Sequence, residues 1–166
     1  PERRGLGGEV EAAVGSSGRD AGRVALSGLV GRDTSHLDEA GIAAAVVESV
    51  AENTVDAVVA PVFWALVGGA PGALAYRAIN TMDAMVGHRN ARYERFGKVA
   101  ARLDDAANFA PARLFALSLM VVRPRRASQI VALVRRDASA HPSPNAGVAE
   151  TAAAAALGVE LGGLLH

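Results

Sequence analysis

The longest uncharged stretch of the chain, AVVAPVFWALVGGAPGALAY at positions 57–76, limits the folds open to it more than any other feature. Its 20 residues lie between Asp56 and Arg77, and an apolar helix of that length is long enough to cross a hydrocarbon layer roughly 30 Å thick. The sequence GGAPG at 68–72 would break such a helix near its middle. The stretch therefore predicts a two-piece or re-entrant apolar segment buried against protein, and a buried hairpin in a soluble protein fits the same residues.

The remainder of the chain is typical of an all-α protein. Aromatic residues make up only 4% of the sequence, so a core of small side chains and close helix contacts is expected. Residues 1–18 are expected to form a flexible lead-in and residues 19–166 a single helical domain. Pro61 is expected to kink or end the helix that opens near His36. Further helices are expected at 19–30, 90–109, 111–122 and 127–138, and from the HPSPN loop at 141–145 to Leu157, with Gly158 as the stop.

Several classes of function are excluded by what the sequence lacks. There is no cysteine, which removes disulfide scaffolds, thiol nucleophiles and Cys-ligated metal centres. The net charge is zero, and scattered arginines do not form a nucleic-acid footprint. No Walker A, G-x-S-x-G or dinucleotide-binding pattern occurs, and none of the histidines has a metal-ligand partner four residues on. Any chemistry must therefore come from the polar clusters.

A row of acids precedes the uncharged stretch. Glu48, Glu52 and Asp56 follow one another at intervals of four, which drift by only about 40° per step on a helix, so the three carboxylates share one side. Asn53 lies beside them. Like charges at this spacing weaken an isolated helix by about a few tenths of a kcal/mol per pair. The row is either a solvated polar face or a set of ligands for Mg²⁺ or for an ammonium group.

Three further polar clusters and the HPSPN loop interrupt the small-residue background. The GRDT turn at 31–34 is suited to hold a phosphate through an arginine and backbone donors near the next helix start. The plainer interpretation is a solvated turn or an exposed helix side, and, for the HPSPN loop, simple capping of the next helix. The candidate residues are Arg32, Asp33 and Thr34 in the turn, Arg77, Asn80, Thr81 and Asp83 in YRAINTMDAMVG, Asp104, Asp105 and Arg113 in ARLDDAANFAPAR, and Ser143 and Asn145 in HPSPN.

The order of these clusters is more specific than any one of them. The chain runs VGRDT, then ESVAEN followed by D and AP, then GGAPGALAYRAINTMD, FGKVAARLDD with N and PAR, SPNAG and LGVELGG. In this order the blocks resemble the adenosylcobinamide-phosphate synthase family, also called cobinamide synthase, of cobalamin biosynthesis. The resemblance extends from about Arg19 to Gly163. One departure is mild, since NTMDAMVGH stands where the family is expected to read NTLDSMVGY.

The resemblance implies a multi-helix integral membrane enzyme, multi-pass in a prokaryotic inner or plasma membrane. Such an enzyme joins adenosylcobyric acid to (R)-1-amino-2-propanol phosphate, or to aminopropanol, with ATP and Mg²⁺. Its partners would be these substrates and membrane lipid, not nucleic acid, and contact with other cobalamin-biosynthesis enzymes is left open. The chain would be the central and C-terminal part, without the N-terminal membrane helices and the C-terminal end. A related inner-membrane sensor family of the β-lactamase induction type, without ligase activity, is the alternative, and a purely structural membrane domain is another.

The resemblance also implies roles for the clustered residues. Amide formation with ATP requires activation of the carboxylate, with Mg²⁺ on the polyphosphate. The candidate catalytic residues are Glu48, Glu52, Asp56 and Asp83. The candidate Mg²⁺ ligands are Glu52, Asp56, Asp104 and Asp105. The candidate substrate- or phosphate-binding residues are Arg32, Asp33, Thr34, Asn53, Arg77, Asn80, Thr81, Arg113, Ser143 and Asn145.

Overall fold

The computed structural model describes residues 39–86, 94–159 and 161, and within them every regular element is helical. The all-α prediction is therefore confirmed, while the predicted lead-in, the helix at 19–30 and the GRDT turn lie outside the described residues. Short 3₁₀ turns occupy Pro124–Arg126 and Ala138–Ala140. The longer elements are α1 (Glu39–Thr54), a π-helical segment (Val55–Val59), α2 (Ala60–Val86), α3 (Glu94–Val122), α4 (Ala127–Asp137) and α5 (Ala146–Leu157).

Helix α2 is folded back on itself as a hairpin. Gly69 has φ 63° and ψ −157°, a backbone conformation essentially restricted to glycine. Beyond this break, Gly72 packs against the carbonyl of Trp64, and the Tyr76 hydroxyl lies 3.2 Å from the carbonyl oxygen of Asp56. A straight helix would separate those two residues by about 30 Å along its axis. The predicted break is confirmed, and it produces two antiparallel arms that meet at residues 68–69.

Pro61 does not end its helix. The chain adopts the π-helical segment immediately before it and returns to α-helix at Ala60. Ala57, whose carbonyl would face the proline ring in a regular α-helix, lies inside this segment. The wider π-helical turn therefore accommodates the proline ring, and the helix continues beyond it.

Helix α3 is continuous through Pro111, where the sequence predicts two helices. Pro111 is fully buried and has no N–H to donate to the carbonyl of Ala107. The indole Nε1 of Trp64 donates to that carbonyl instead, at 3.0 Å. Because the lost hydrogen bond is replaced from the hairpin, the break expected at this proline does not occur, and the hairpin is joined to α3 at the same point.

The central core is built around α5, which packs against α1, α3 and α4. Its buried side chains are nearly all alanine, and larger residues such as Phe115 and Ile130 close the core from α3 and α4. The predicted small-residue core is therefore confirmed. The helix ends at Leu157, as predicted, with Gly158 at φ 77° and with Arg126 donating to the carbonyl of Ala155 at 3.2 Å.

Large apolar side chains cover the outside of the hairpin and of α3. Leu66, near the tip of the hairpin, is 82% exposed, and Leu117 and Val121 on α3 are also exposed. Two helical stretches, Ala40–Val86 and Gly97–Val122, are long and apolar enough to span a membrane by length and composition. Contiguous apolar surface of this kind is costly in water, so the fold has the character of a helical membrane protein.

Candidate functional site

An acid-rich cavity of about 390 Å³ lies at the base of the hairpin. Four of its ten lining residues carry a carboxylate, and in the described part of the chain none of the lining residues is a lysine or an arginine. Such a set produces a negative potential that favours a cationic ligand. The lining residues are Glu52, Val55, Asp56, Asp83, Asp104, Asn108, Ser143, Asn145, Ala146 and Ala149.

One amide group joins two of these acids. The Nδ2 atom of Asn80 donates to Asp56 Oδ2 at 3.2 Å and to Asp104 Oδ1 at 3.3 Å. The three residues come from the π-helical segment, the second arm of the hairpin and α3. Asn80 Oδ1 in turn accepts a hydrogen bond from Arg77 Nη1 at 3.2 Å, on the exposed side. Asn80 therefore holds two carboxylates next to each other without neutralising either.

A second amide, that of Asn108, also helps to hold Asp56 and Asp104 in position. Asn108 is buried, and its Nδ2 donates to Asp104 Oδ2 at 3.0 Å. Its Oδ1 lies 3.0 Å from the hydroxyl of the buried Tyr76. In the described ranges no buried side-chain nitrogen or oxygen lacks a hydrogen-bond partner. The acids are therefore fixed in position by neutral donors, and their negative charge remains available to a ligand.

The HPSPN loop closes the other side of the cavity. Asn145 is buried, and its Nδ2 donates to the backbone carbonyl of Asp105 at 2.8 Å. Ser143 Oγ donates to Asp105 Oδ1 at 3.1 Å. Arg113 Nη1 donates to Asn145 Oδ1 at 3.0 Å and to the carbonyl of Phe109 at 2.8 Å, and its guanidinium lies 3.5 Å from the Phe109 ring centroid. The loop is thus tied to α3 at residues 105 and 113.

The capping interpretation of this loop holds for only one of the two residues predicted to cap the next helix. Ser143 Oγ accepts from the backbone N–H groups of Asn145 and Ala146, each at 3.4 Å. The Asn145 side chain makes no cap hydrogen bond, because it is turned toward α3. Asn145 is therefore a residue of the cavity wall, which the local sequence cannot reveal.

The structure brings six of the predicted site residues to the cavity wall and places others around it. Asn80 donates hydrogen bonds to the wall residues Asp56 and Asp104. Asp105 and Arg113 hold the HPSPN loop through hydrogen bonds to Ser143 and Asn145. Arg32, Asp33 and Thr34 lie outside the described residues. The six at the wall are Glu52, Asp56, Asp83, Asp104, Ser143 and Asn145.

Besides Asn80, Asp105 and Arg113, four predicted residues do not line this cavity. Asn53 donates to the carbonyl of Ser49 at 2.8 Å, within its own helix, and Glu48 lies one turn before Glu52, outside the lining set. Arg77 and Thr81 line a separate, mostly apolar surface groove of about 470 Å³. Helical spacing explains the position of Thr81, which follows Asn80 directly and is turned about 100° from it, whereas Arg77 is three residues before Asn80 and reaches it from the exposed side.

Several residues of the site are not among those predicted. Asn108 follows Asp104 by four positions, so helical periodicity on α3 is a signal that could have found it. Tyr76 and Trp64 act through contacts across the hairpin that have no local signal. His141 and Glu150 meet Glu52, and a ligand atom of each of these three lies within 4.8 Å of those of the other two.

These features define the class of the molecule: a helical membrane-type protein in which an apolar hairpin and a polar loop enclose an acid-lined cavity. A family model described as CobD/Cbib protein matches residues 4–166. The chain belongs to the CobD/Cbib family, and the predicted family resemblance is confirmed.

The chain is similar to curated relatives that carry the name cobalamin biosynthesis protein CobD. It is 48% identical over 159 residues to that of Brucella anthropi, covering 93% of this chain and 49% of the relative. It is 52% identical over 141 residues to that of Rhodobacter capsulatus, covering 85% and 45%. It is 51% identical over 147 residues to that of Mycobacterium tuberculosis, covering 87% and 47%. The chain thus spans about half the length of these relatives. No solved structure matches it.

Proposed function

We propose that this chain carries part of the active site of a cobalamin-biosynthesis ligase, which joins adenosylcobyric acid to (R)-1-amino-2-propanol phosphate, or to aminopropanol, with consumption of ATP. One observation carries the proposal: four carboxylates line a cavity without a lysine or arginine in its described wall, in a chain of the CobD/Cbib family. Both cations that the reaction requires, a protonated amine and Mg²⁺ on the polyphosphate, suit such a wall.

The acids supply two functions in this reaction. An amine enters as an ammonium ion and must lose a proton before its nitrogen attacks the activated acid, so one carboxylate acts as the general base. The others hold positive charge, either the ammonium or the Mg²⁺ that accompanies ATP. ATP would transfer a phosphoryl group to the corrinoid carboxylate, with ADP as the leaving group, and the amine would then displace phosphate from the carbonyl carbon to form the amide. Asp56 and Asp104, fixed by Asn80, are the pair best placed to share these tasks.

The hairpin gives the cavity a position relative to lipid. The arm from Ala57 to Gly68 carries no charge, and its twelve residues extend about 18 Å, short of a hydrocarbon core of about 30 Å. We therefore propose that the hairpin enters one leaflet and does not cross the membrane. Its base, with the acids, then lies at the membrane surface of a multi-pass protein, where water-soluble ATP and the amine can reach it.

Substitution of the two bridged acids tests this function. Asp56→Asn and Asp104→Asn in the full-length protein, in membranes or nanodiscs, remove a carboxylate at constant size. We expect each to lower the rate of adenosylcobinamide phosphate formation by at least about a hundredfold, the scale of a general base. Asp137→Asn is the matched control, because Asp137 is an exposed acid that pairs with Arg136 at 2.6 Å, away from the cavity.

Two results would contradict the proposal. Undiminished product formation in both cavity variants would remove the site assignment. Absence of corrinoid-dependent ATP turnover in the unsubstituted full-length protein would remove the ligase function itself and would favour the sensor-type alternative. Membrane insertion of each variant, compared with the Asp137→Asn control, separates loss of chemistry from loss of protein.

A further inference from the structure

A second cluster of ligating side chains lies at the rim of the acid-rich cavity. Glu52 of α1, His141 of the HPSPN loop and Glu150 of α5 place one ligand atom each within 4.8 Å of one another. Glu52 is far in sequence from the other two, and the three come from three different elements, so their convergence is a product of the fold. Glu52 also lines the cavity, which makes the cluster continuous with it.

The distances in the cluster fit a shared cation better than a direct hydrogen bond. His141 Nε2 and Glu150 Oε1 are 3.7 Å apart, which is beyond hydrogen-bonding range. Two ligands of a tetrahedral zinc ion, each about 2.0–2.1 Å from the metal, are about 3.3 Å apart. His141 Nε2 and Glu150 Oε1 would need to approach by about 0.4 Å, and the Glu52 carboxylate by at most about 1.5 Å, to complete such a set. A cation would also relieve the repulsion between the two glutamates.

The backbone around His141 orients its imidazole for this role. The Nδ1 atom lies 3.1 Å from the carbonyl oxygen of Ser143, and a hydrogen bond from Nδ1–H to this carbonyl leaves Nε2 free to bind a metal. The Ser143 N–H also lies 3.0 Å from Nδ1, so the opposite tautomer is open when no cation is bound. Gly147 allows α5 to approach the loop closely, because a Cβ at that position would collide with the carbonyl of Ala138 and approach His141 Cβ to 2.9 Å.

We infer that Glu52, His141 and Glu150 form a binding site for a divalent transition-metal ion, with Zn²⁺ as the best fit. Imidazole together with carboxylates suits zinc and similar ions, whereas Mg²⁺ prefers oxygen ligands alone. A water or a substrate oxygen from the cavity would complete the coordination. The inference rests on the cluster geometry and does not depend on the proposed ligase activity.

Metal binding to the full-length protein in detergent tests the site without ATP or corrinoid. Protein stripped with a chelator is titrated with Co²⁺, and the visible absorption bands of bound Co²⁺ are followed, with metal content measured after desalting. We expect one equivalent of Co²⁺ that Zn²⁺ displaces. His141→Gln and Glu150→Gln are each expected to weaken this binding at least tenfold, while Asp137→Asn leaves it unchanged. Size-exclusion elution shows that each variant is folded.

The outcomes separate this site from the acid-rich cavity. Loss of Co²⁺ binding in both His141→Gln and Glu150→Gln, with retention in Asp56→Asn and Asp104→Asn, supports the inference. It is overturned if the unsubstituted protein binds no Co²⁺. It is equally overturned if the two Gln variants bind Co²⁺ as well as the unsubstituted protein does, in which case the cluster is an ion pair of His141 with Glu150. Because none of these readouts uses catalysis, a failure here leaves the ligase proposal to its own test.

Discussion

Replacement of Asn80 tests whether the cavity is a cation site held together by neutral amides. Asn80→Ala removes both hydrogen bonds that the amide donates, to Asp56 at 3.2 Å and to Asp104 at 3.3 Å. Asn80→Asp keeps the size and shape of the side chain but puts a third negative charge between the same two acids. We expect Asn80→Asp to be the more damaging change, although it alters packing less.

The magnitudes follow from the distances. A hydrogen bond to a charged group contributes about 1.5–3 kcal/mol, and these groups are partly exposed, so the lower value is appropriate and Asn80→Ala costs about 3 kcal/mol for the two bonds. Two like charges about 4 Å apart repel each other by about 1 kcal/mol in water and about 4 kcal/mol near a protein surface. With two such neighbours, Asn80→Asp costs at least about 2 kcal/mol more from repulsion alone.

The assay is thermal unfolding of the full-length protein in detergent at pH 8, where an ordinary aspartate is ionised. We expect the midpoint temperature of unfolding to be highest for the unsubstituted protein, lower for Asn80→Ala and lowest for Asn80→Asp. Millimolar Mg²⁺ should raise the midpoint of Asn80→Asp most. Gln129→Glu, the same amide-to-acid change at an exposed position on α4, is the control and should have little effect. An Asn80→Asp protein as stable as Asn80→Ala, with no selective response to Mg²⁺, would refute the electrostatic reasoning.

Two further predictions concern the elements that shape the cavity. Gly69→Ala should lower the free energy of unfolding by about 1–3 kcal/mol, because φ 63° with ψ −157° is strained for any residue with a Cβ. Thermal or chemical denaturation measures the change, and an unchanged stability would mean that the hairpin turn is not formed as described. Arg113→Met should lower both stability and product formation, because it removes the hydrogen bond to Asn145 at 3.0 Å. Arg113→Lys should not restore them, because an ammonium group cannot stack as a planar guanidinium does over the Phe109 ring, 3.5 Å from its centroid. Full rescue by lysine, measured as product formation in membranes, would show that only the charge of Arg113 matters.

The hairpin was predictable because its signals are local. The uncharged stretch indicates an apolar environment, and GGAPG within it indicates the position of the turn. The continuity of α3 through Pro111 was not predictable from α3 itself. It depends on Trp64, 43 residues earlier, whose indole N–H reaches the carbonyl that the proline leaves without a donor. A proline in a sequence indicates a lost hydrogen bond, and only the tertiary structure shows whether another group replaces it.

The site divides in the same way between local and distant signals. Spacing by four on one helix identifies Glu52 and Asp56 as neighbours, and both reach the cavity wall. Asp104 and Asp56 are bridged by Asn80, which is 24 residues from each of them, so no local periodicity relates the three. His141 shows the limit most clearly. A search for a ligand four residues away finds none, because its partners Glu52 and Glu150 come from α1 and α5, two helices that pack against each other. A histidine without a local partner is therefore not excluded as a metal ligand when the segment that carries it is anchored, as this one is through Asn145 and Gly147, between helices that carry acids.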